Sequence, residues 1–235
     1  MKRLVIIIPT LNEEKNIKNL IEKIFKVNKS FEILFIDDGS TDKTQNLIKD
    51  YNKNFNNINY IFRKNKSGIG SAHKAGLKYC YQKKYEYIVT MDADGTHNPN
   101  KITEMMNIMK KKKCHLVNTS RFVLKNSLPG WPLSRIIMTY TRHYLIKVLL
   151  GLKFDASGAF RLYDTKNIKL SDILLAKDSR YAFFWESLHI LNKKKNIIHE
   201  VSINLPYRTN GSSKMRFSDI LYSFMYLLYI TFKKY

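Results

Sequence analysis

Acidic residues are scarce in this chain: 19 Asp and Glu stand against 41 Lys and Arg in 235 residues, a formal net charge of +22. A deficit that deep excludes an anionic surface and implies attraction to polyanions, whether nucleic acid, phosphorylated small molecules or an anionic membrane face. It does not choose among them. Part of the excess lies in the lysine runs 110–113 and 193–195, which read most simply as solvated helix ends that complement the dipole. Cysteine is scarcer still. Only Cys80 and Cys114 occur, each within a segment of helix or strand character, so a disulfide framework or a cysteine metal cluster is excluded and a reduced, cytosolic compartment is expected. Long hydrophobic runs are missing too. The N-terminal "LVIII" is stopped by Pro9 after five residues, too few for a signal-peptide core, and reads as a strand. The apolar stretch 220–232 falls short of the ~20 residues that a spanning helix needs. There is no internal repeat and no low-complexity linker.

What remains is a rhythm. Short β-branched runs alternate with segments of helical period, the pattern of a mostly parallel sheet with helices on its faces. Strands are expected at 4–8, 31–36, 58–62, 85–91 and 115–119, with helices beginning near Asn12 and at 43–51, 71–82 and from Pro99 to about Lys112. Beyond Pro129 the rhythm loosens into a helix over 133–150, a strand over 159–163, a helix over 183–193, a strand over 197–205 and a final helix from Phe217. The expected organisation is a catalytic unit over residues 1–215 followed by a C-terminal apolar helix, 216–235, able to lie at a membrane interface.

The polar clusters fall at strand ends, where an open α/β sheet binds ligands. "MDADGTH" (residues 91–97) carries Asp92 and Asp94 two apart at the end of the fourth strand, where extended backbone turns alternate residues to one face. Two such carboxylates repel unless a cation lies between them, and Mg2+ is held by one or two carboxylates plus substrate phosphates. Asp94-Gly95 also makes a good turn, and Asp92 a cap for the helix after Pro99. Taken alone the pair is read either way. "IDDGSTD" (residues 36–42) repeats the theme on a neighbouring strand, although it is good turn and cap chemistry by itself. That repetition favours a site. The glycines of "KSGIGSAHKAG" (residues 66–76) match neither a dinucleotide fingerprint nor a P-loop; they imply a close backbone approach, with His73 on a helix surface. Arg121, Arg135, Arg161, Arg208 and Lys214 stand in loop-like contexts, and guanidinium forks suit phosphate.

These pieces, "IIIPTLNEEKNI", "IDDGSTDKT", "MDADGTH", "SRF", "ASGAFRLYD", "WES" and "PYRTNGSSK", occur in the order and spacing of the family-two glycosyltransferases with the GT-A fold. More closely the chain resembles the dolichyl-phosphate (polyprenyl-phosphate) mannosyltransferases, over nearly its whole length to about Lys214. The resemblance implies an inverting transfer of mannose from GDP-mannose to a polyprenyl phosphate, by a protein peripheral on the cytoplasmic membrane face, with Mg2+ or Mn2+ and without nucleic acid. It implies that Pro9, Leu11, Glu13, Ile36 and Asp38 hold the nucleotide and that Asp92, Asp94 and Thr96 surround the metal, with Ala93 against the donor. Arg121, Arg208 and Lys214 would bind the donor phosphates, and Arg135 with Thr139 would lie near the lipid phosphate. Asp94, Arg121 and Glu186 would serve catalysis, Glu186 by positioning. Leu11 stands where the family usually has Tyr, which removes an aromatic face from the base pocket, and Thr96 stands where Gln or Ser is common. Transfer of glucose from UDP-glucose, or to a saccharide hydroxyl with Glu186 as base, are the enzymatic alternatives, and a non-catalytic polyanion binder is the alternative of a different class.

Overall fold

The computed structural model describes residues 3–208 and 217–233. The first half alternates β1 (Leu4–Thr10), α1 (Glu14–Val27), β2 (Glu32–Asp37), α2 (Thr44–Asn54), β3 (Ile58–Phe62), α3 (Ile69–Gln82), β4 (Tyr87–Thr90) and α4 (Lys101–Lys112). The second half holds β5 (Leu116–Ser120), α5 (Leu133–Leu150), β6 (Arg161–Asp164), the short α6 (Leu170–Leu174), α7 (Ala182–Lys193), β7 (Ile198–Ser202) and α8 (Phe217–Thr231). The strands form one sheet in the order β3-β2-β1-β4-β6-β5-β7. All neighbours pair parallel except β6, which runs antiparallel to both β4 and β5. That reversal follows from the connection. The chain leaves β5 at the carboxyl rim, builds α5 there, and re-enters β6 from the same rim.

Because helices cover both faces, the central strands carry apolar residues at almost every position. Alternation decides only which side each one fills. Val5, Ile7, Leu34 and Ile36 point into a core with α3, α5, α7 and α8, whereas Leu4, Ile6, Ile8, Ile33 and Phe35 point into a second core with α1 and α4. Helix α1 buries Ile17, Leu20, Ile21 and Ile24, the stripe expected of a surface helix. Lys43 is the N-cap of α2 and makes no side-chain cap bond; Asp42, one residue earlier, accepts the Thr44 N–H on its Oδ1 at 3.0 Å. Helix α7 differs. Every residue from Ala182 to Leu191 is buried, so it is a core helix, and Glu186 goes under with it.

One expectation needs correction and another gains its partner. His73 is not a surface residue: it is 1% exposed, its ring 6.0 Å from that of Phe183 and 5.0 Å from that of Phe184. Burial pushes its pKa down to about 3, so it is a neutral core group. The close approach implied by "SGIG" is to protein. The Ser71 N–H donates to the Ser179 carbonyl at 3.0 Å, and a Cβ on Gly70 would lie 2.6 Å from both the Arg180 carbonyl oxygen and Phe183 Cβ. The segment ahead of α7 therefore lies directly on the start of α3. Gly70→Ala should destabilise the protein by roughly 1–3 kcal/mol through this overpacking. Gly158→Ala, whose Cβ would meet only the Thr119 carbonyl at 3.8 Å, should stay within about 0.5 kcal/mol of the parent. Urea unfolding of the two variants checks the difference, and equal midpoints would refute the account.

Candidate active site

Strand order places a switch between β1, whose successor β2 lies on one side, and β4 on the other, the point at which open α/β sheets bind ligands. A cleft opens beside β4 and β5. Its lining brings together Asp92, Asp94 and Thr96, the arginines Arg121, Arg135, Arg142 and Arg208, and the aromatic residues Trp131, Tyr181 and Tyr207.

The acidic side is not an extension of the strand. β4 ends at Thr90, the Met91 N–H makes a last sheet bond to the Ile7 carbonyl at 3.1 Å, and the chain then turns. Asp94 closes that turn, its Oδ1 accepting the Thr96 N–H at 3.1 Å and the Thr96 hydroxyl at 2.7 Å. Strand pleat therefore does not explain why Asp92 and Asp94 share the cleft; the Asx turn does. Nor does Asp92 cap α4, where Asn98 accepts the Asn100 N–H at 3.0 Å. His97 braces the loop from beneath. Its Nδ1 accepts the Asp92 N–H at 2.9 Å and its ring lies 4.9 Å from that of Phe160. The proton of the neutral ring is thus on Nε2, which faces the Asp92 carboxylate at 3.9 Å. Burial, with the like charge of Asp94, raises the Asp92 pKa against the pull of Arg208.

Two carboxylates and a hydroxyl make a partial set of hard oxygen donors. Among the described residues no group of three or more His, Cys, Asp or Glu forms a complete cage. Such a set fits Mg2+ or Mn2+ that takes its remaining ligands from a diphosphate, and Asp92, Asp94 and Thr96 would hold it. Arg208 Nη2 lies 3.3 Å from Asp94 Oδ2, so one guanidinium already faces the acidic side.

The cationic side hangs on a buried pair. Arg121 donates from Nε and Nη2 to both Asp155 oxygens at 2.8 and 2.7 Å, and its N–H donates to Oδ2 at 3.0 Å. The guanidinium holds the Asp155 carboxyl down at about 2 against the effect of burial. Glu200 fixes Asp155 in turn, accepting its N–H at 2.6 Å and the Asn118 amide at 3.0 Å. The loop after Arg121 is stapled to the segment after β7: the Leu205 N–H donates to the Ser127 carbonyl at 2.8 Å, the Tyr207 N–H to the Pro129 carbonyl at 3.0 Å, and Trp131 Nε1 to the Leu205 carbonyl at 2.9 Å. Arg135 then lies 5.5 Å over the Tyr207 ring.

The other expected residues are distributed as follows. Pro9, Leu11 and Glu13 lie at the carboxyl end of β1, across the switch point, and the charge of Glu13 reaches Asp92. The Ile36 side chain is in the core and Ala93 is buried. Asp38 is buried and accepts the Ser67 and Gly68 N–H groups, each at 2.9 Å, with Arg63 as its ion-pair partner. Thr139 is buried on α5 but is not part of the cleft lining. Glu186 is fully buried and accepts the Asp178 N–H at 2.9 Å and the Tyr226 hydroxyl at 3.0 Å; it too is outside the lining. Arg161 is a framework residue, bonded to Asn118, Ser187 and Ala156. Lys214 lies outside the described residues. Sequence reasoning missed Asp155, His97 and Arg142. Nothing in the spacing pairs Arg121 with Asp155, but Arg142 follows Arg135 by seven residues on α5, a spacing that shares one helix face.

The buried pair sets a pH dependence. The folded-state pKa of Asp155 is depressed from 3.8 to about 2, so its contribution is complete above the unfolded value and is lost as pH falls through the folded one. Asp155→Asn should lower stability by roughly 3–5 kcal/mol near neutral pH, since it strands a buried guanidinium. The gap between variant and parent in chemical denaturation should narrow as pH is taken from about 5 to about 2; a gap unchanged over that range would overturn the assignment.

Among solved structures, glucosyl-3-phosphoglycerate synthase from Mycobacterium tuberculosis, in complex with Mn2+, UDP and glucosyl-3-phosphoglycerate, superposes with a TM-score of 0.69 at 18% identity, covering 98% of this chain and 80% of that one. TarS 1–349 of S. aureus superposes with a TM-score of 0.62 at 20% identity, covering 97% and 64%. The shared fold is GT-A. In sequence the chain is 28% identical over 222 residues to polyprenol monophosphomannose synthase of Mycolicibacterium smegmatis, covering 93% of this chain and 83% of the relative. It is 26% identical over 214 residues to undecaprenyl-phosphate mannosyltransferase of Micrococcus luteus, covering 91% and 87%. The model of glycosyl transferase family 2 matches residues 5–170, well over half of the chain; the protein belongs to that family and is a glycosyltransferase.

Proposed function

We propose that this enzyme transfers mannose from GDP-mannose to a polyprenyl phosphate, with inversion, at the cytoplasmic face of a membrane and with Mg2+ or Mn2+. The observation that carries the reading is one cleft whose lining joins the Asp92–Asp94 pair to Arg121, Arg135, Arg142 and Arg208. Both substrates of such a transfer bear phosphate, and both must approach one anomeric carbon. The two curated relatives named as mannosyltransferases or synthases of polyprenyl phosphates, each matched over at least nine-tenths of this chain, support the same substrates.

An acceptor phosphate is already an anionic nucleophile, so the reaction needs no strong general base. An acceptor oxygen attacks the anomeric carbon from the face opposite the diphosphate. The C–O bond to the leaving group breaks, and GDP departs. A divalent ion bound at Asp92 and Asp94 supplies neutralisation of the charge developing on the diphosphate. Arg208, beside Asp94, reaches the same phosphates, while Arg121 and Arg135 relieve the repulsion that the acceptor anion meets. Glu186 serves this scheme as a brace between α7 and α8, consistent with an acceptor that brings its own charge.

A lipid acceptor also needs a surface. Helix α5 exposes Leu133, Ile137, Met138, Tyr140 and Tyr144, and α8 exposes Leu221, Met225 and Tyr229, with Phe232 exposed just beyond its end. Among the described residues no helix is long and apolar enough to cross a bilayer, but these two carry the aromatic and aliphatic groups with flanking cations of interfacial helices. The net charge of +22 adds attraction to anionic lipid, about 1 kcal/mol per Lys or Arg near the surface.

Purified enzyme given labelled GDP-mannose and polyprenyl phosphate should move label into organic solvent, with none moved in EDTA. Asp94→Asn should reduce the rate by ~100-fold or more. UDP-glucose as the better donor would correct the sugar, and no metal-dependent transfer to lipid from either donor would refute the reading. In flotation with anionic vesicles the parent should rise with the lipid at low salt. The double variant Tyr144→Glu/Met225→Glu should stay behind, and equal flotation of the two would remove the interfacial assignment.

A further inference from the structure

One cation in the cleft has no part in the scheme so far. Arg142 lines the cleft with Arg121 and Arg135, yet its Nε is buried and meets no hydrogen-bond partner among the described residues. The nearest carboxylate is already engaged, since Asp155 gives both oxygens to Arg121 in a bidentate pair. Two guanidinium groups therefore share one carboxylate. Arg142 itself has no hydrogen-bonded carboxylate among the described residues, and burial with the proximity of Arg121 brings its pKa down to about 10, which leaves it charged at neutral pH. A half-buried guanidinium whose Nε is shut away from water without a partner is costly unless an anion arrives to meet it.

Position on the fold indicates which anion. Arg208, facing Asp94 at 3.3 Å, belongs to the side where a nucleotide diphosphate and metal would lie. Arg142 is on α5 instead, one stretch of the helix beyond Arg135, and the same helix exposes Ile137, Met138, Tyr140 and Tyr144. A ligand with a phosphate at Arg142 and an apolar tail along α5 satisfies both features. Orthophosphate satisfies only the first. We propose that Arg142, with Arg121, forms a two-guanidinium site for the monophosphate head of a prenyl-phosphate acceptor, an acceptor-binding role that rests on the reading given under Proposed function.

The arrangement gives a signature that a structural arginine would not. Removing a stability-bearing arginine lowers the melting temperature, whereas removing an uncompensated charge leaves it unchanged or raises it. The test uses Arg142→Leu and Arg142→Lys in the full chain, with steady-state kinetics against farnesyl phosphate and GDP-mannose, calorimetric binding of farnesyl phosphate, farnesol and orthophosphate, and thermal melts. Arg142→Leu should raise the KM for farnesyl phosphate about tenfold or more, leave the KM for GDP-mannose within about twofold, and melt no lower than the parent. Arg142→Lys, which keeps the charge without the fork, should fall between them. The parent should bind farnesyl phosphate and not farnesol, and bind orthophosphate far more weakly. If the parent transfers mannose to lipid but Arg142→Leu keeps its acceptor KM, or shifts both KM values together, this inference alone fails. If the parent neither binds farnesyl phosphate nor transfers to it, the reading beneath it fails as well.

Discussion

The cleft depends on one buried contact, the bidentate pair between Arg121 and Asp155. A buried ion pair contributes little net stability, because desolvating both charges offsets most of their attraction. What it supplies is position. Arg121 follows β5 and Asp155 precedes β6, so the pair ties the point where the chain leaves the sheet to the point where it returns. Glu200, on β7, holds the Asp155 backbone. Three strands are thereby locked in register at the carboxyl rim, and the loop carrying Trp131 and Arg135 closes over them through bonds at Ser127 and Pro129. Without that lock the arginine side has no fixed geometry.

The acidic side has the opposite economy. A short Asx turn and one histidine present Asp92 and Asp94, and a single guanidinium, that of Arg208, reaches Asp94 among the described residues. Burial, with the like charge of Asp94 close by, raises the Asp92 pKa, and the pair suits a hard cation. The two sides thus divide the labour: one is rigid and cationic, the other a turn whose charge awaits a partner. A reaction that joins two phosphate-bearing substrates suits that division, because one anion can be met by metal and the other by arginine.

Much of the fold was legible because burial leaves a periodic trace. The span of α5 and that of β3 match their expected limits, and α1, α3 and α4 differ from theirs by a few residues at one end. Apolar residues recurring at helical spacing, or filling both faces of a strand, admit few alternatives. The errors share a cause. His73, between Ala72 and Lys74, carries no local sign of burial, because Phe183 and Phe184 come from α7, more than a hundred residues on. Arg161 looks like a phosphate ligand until Asn118 and Ser187 arrive from other elements.

By itself the sequence determined the layered architecture, the strand-end location of the chemistry and the acid pair, since each is a matter of local pattern and residue type. Whether a given polar group is free for a ligand is a different kind of fact, because it depends on what distant segments bring to it. Tertiary structure alone decided that Asp38 serves the 67–68 turn, that Glu186 lies under α8, that Asp155 holds Arg121, and that Arg142 Nε is left without a hydrogen-bond partner among the described residues. Hydrogen-bond capacity is finite, and only the folded chain shows where it has been used.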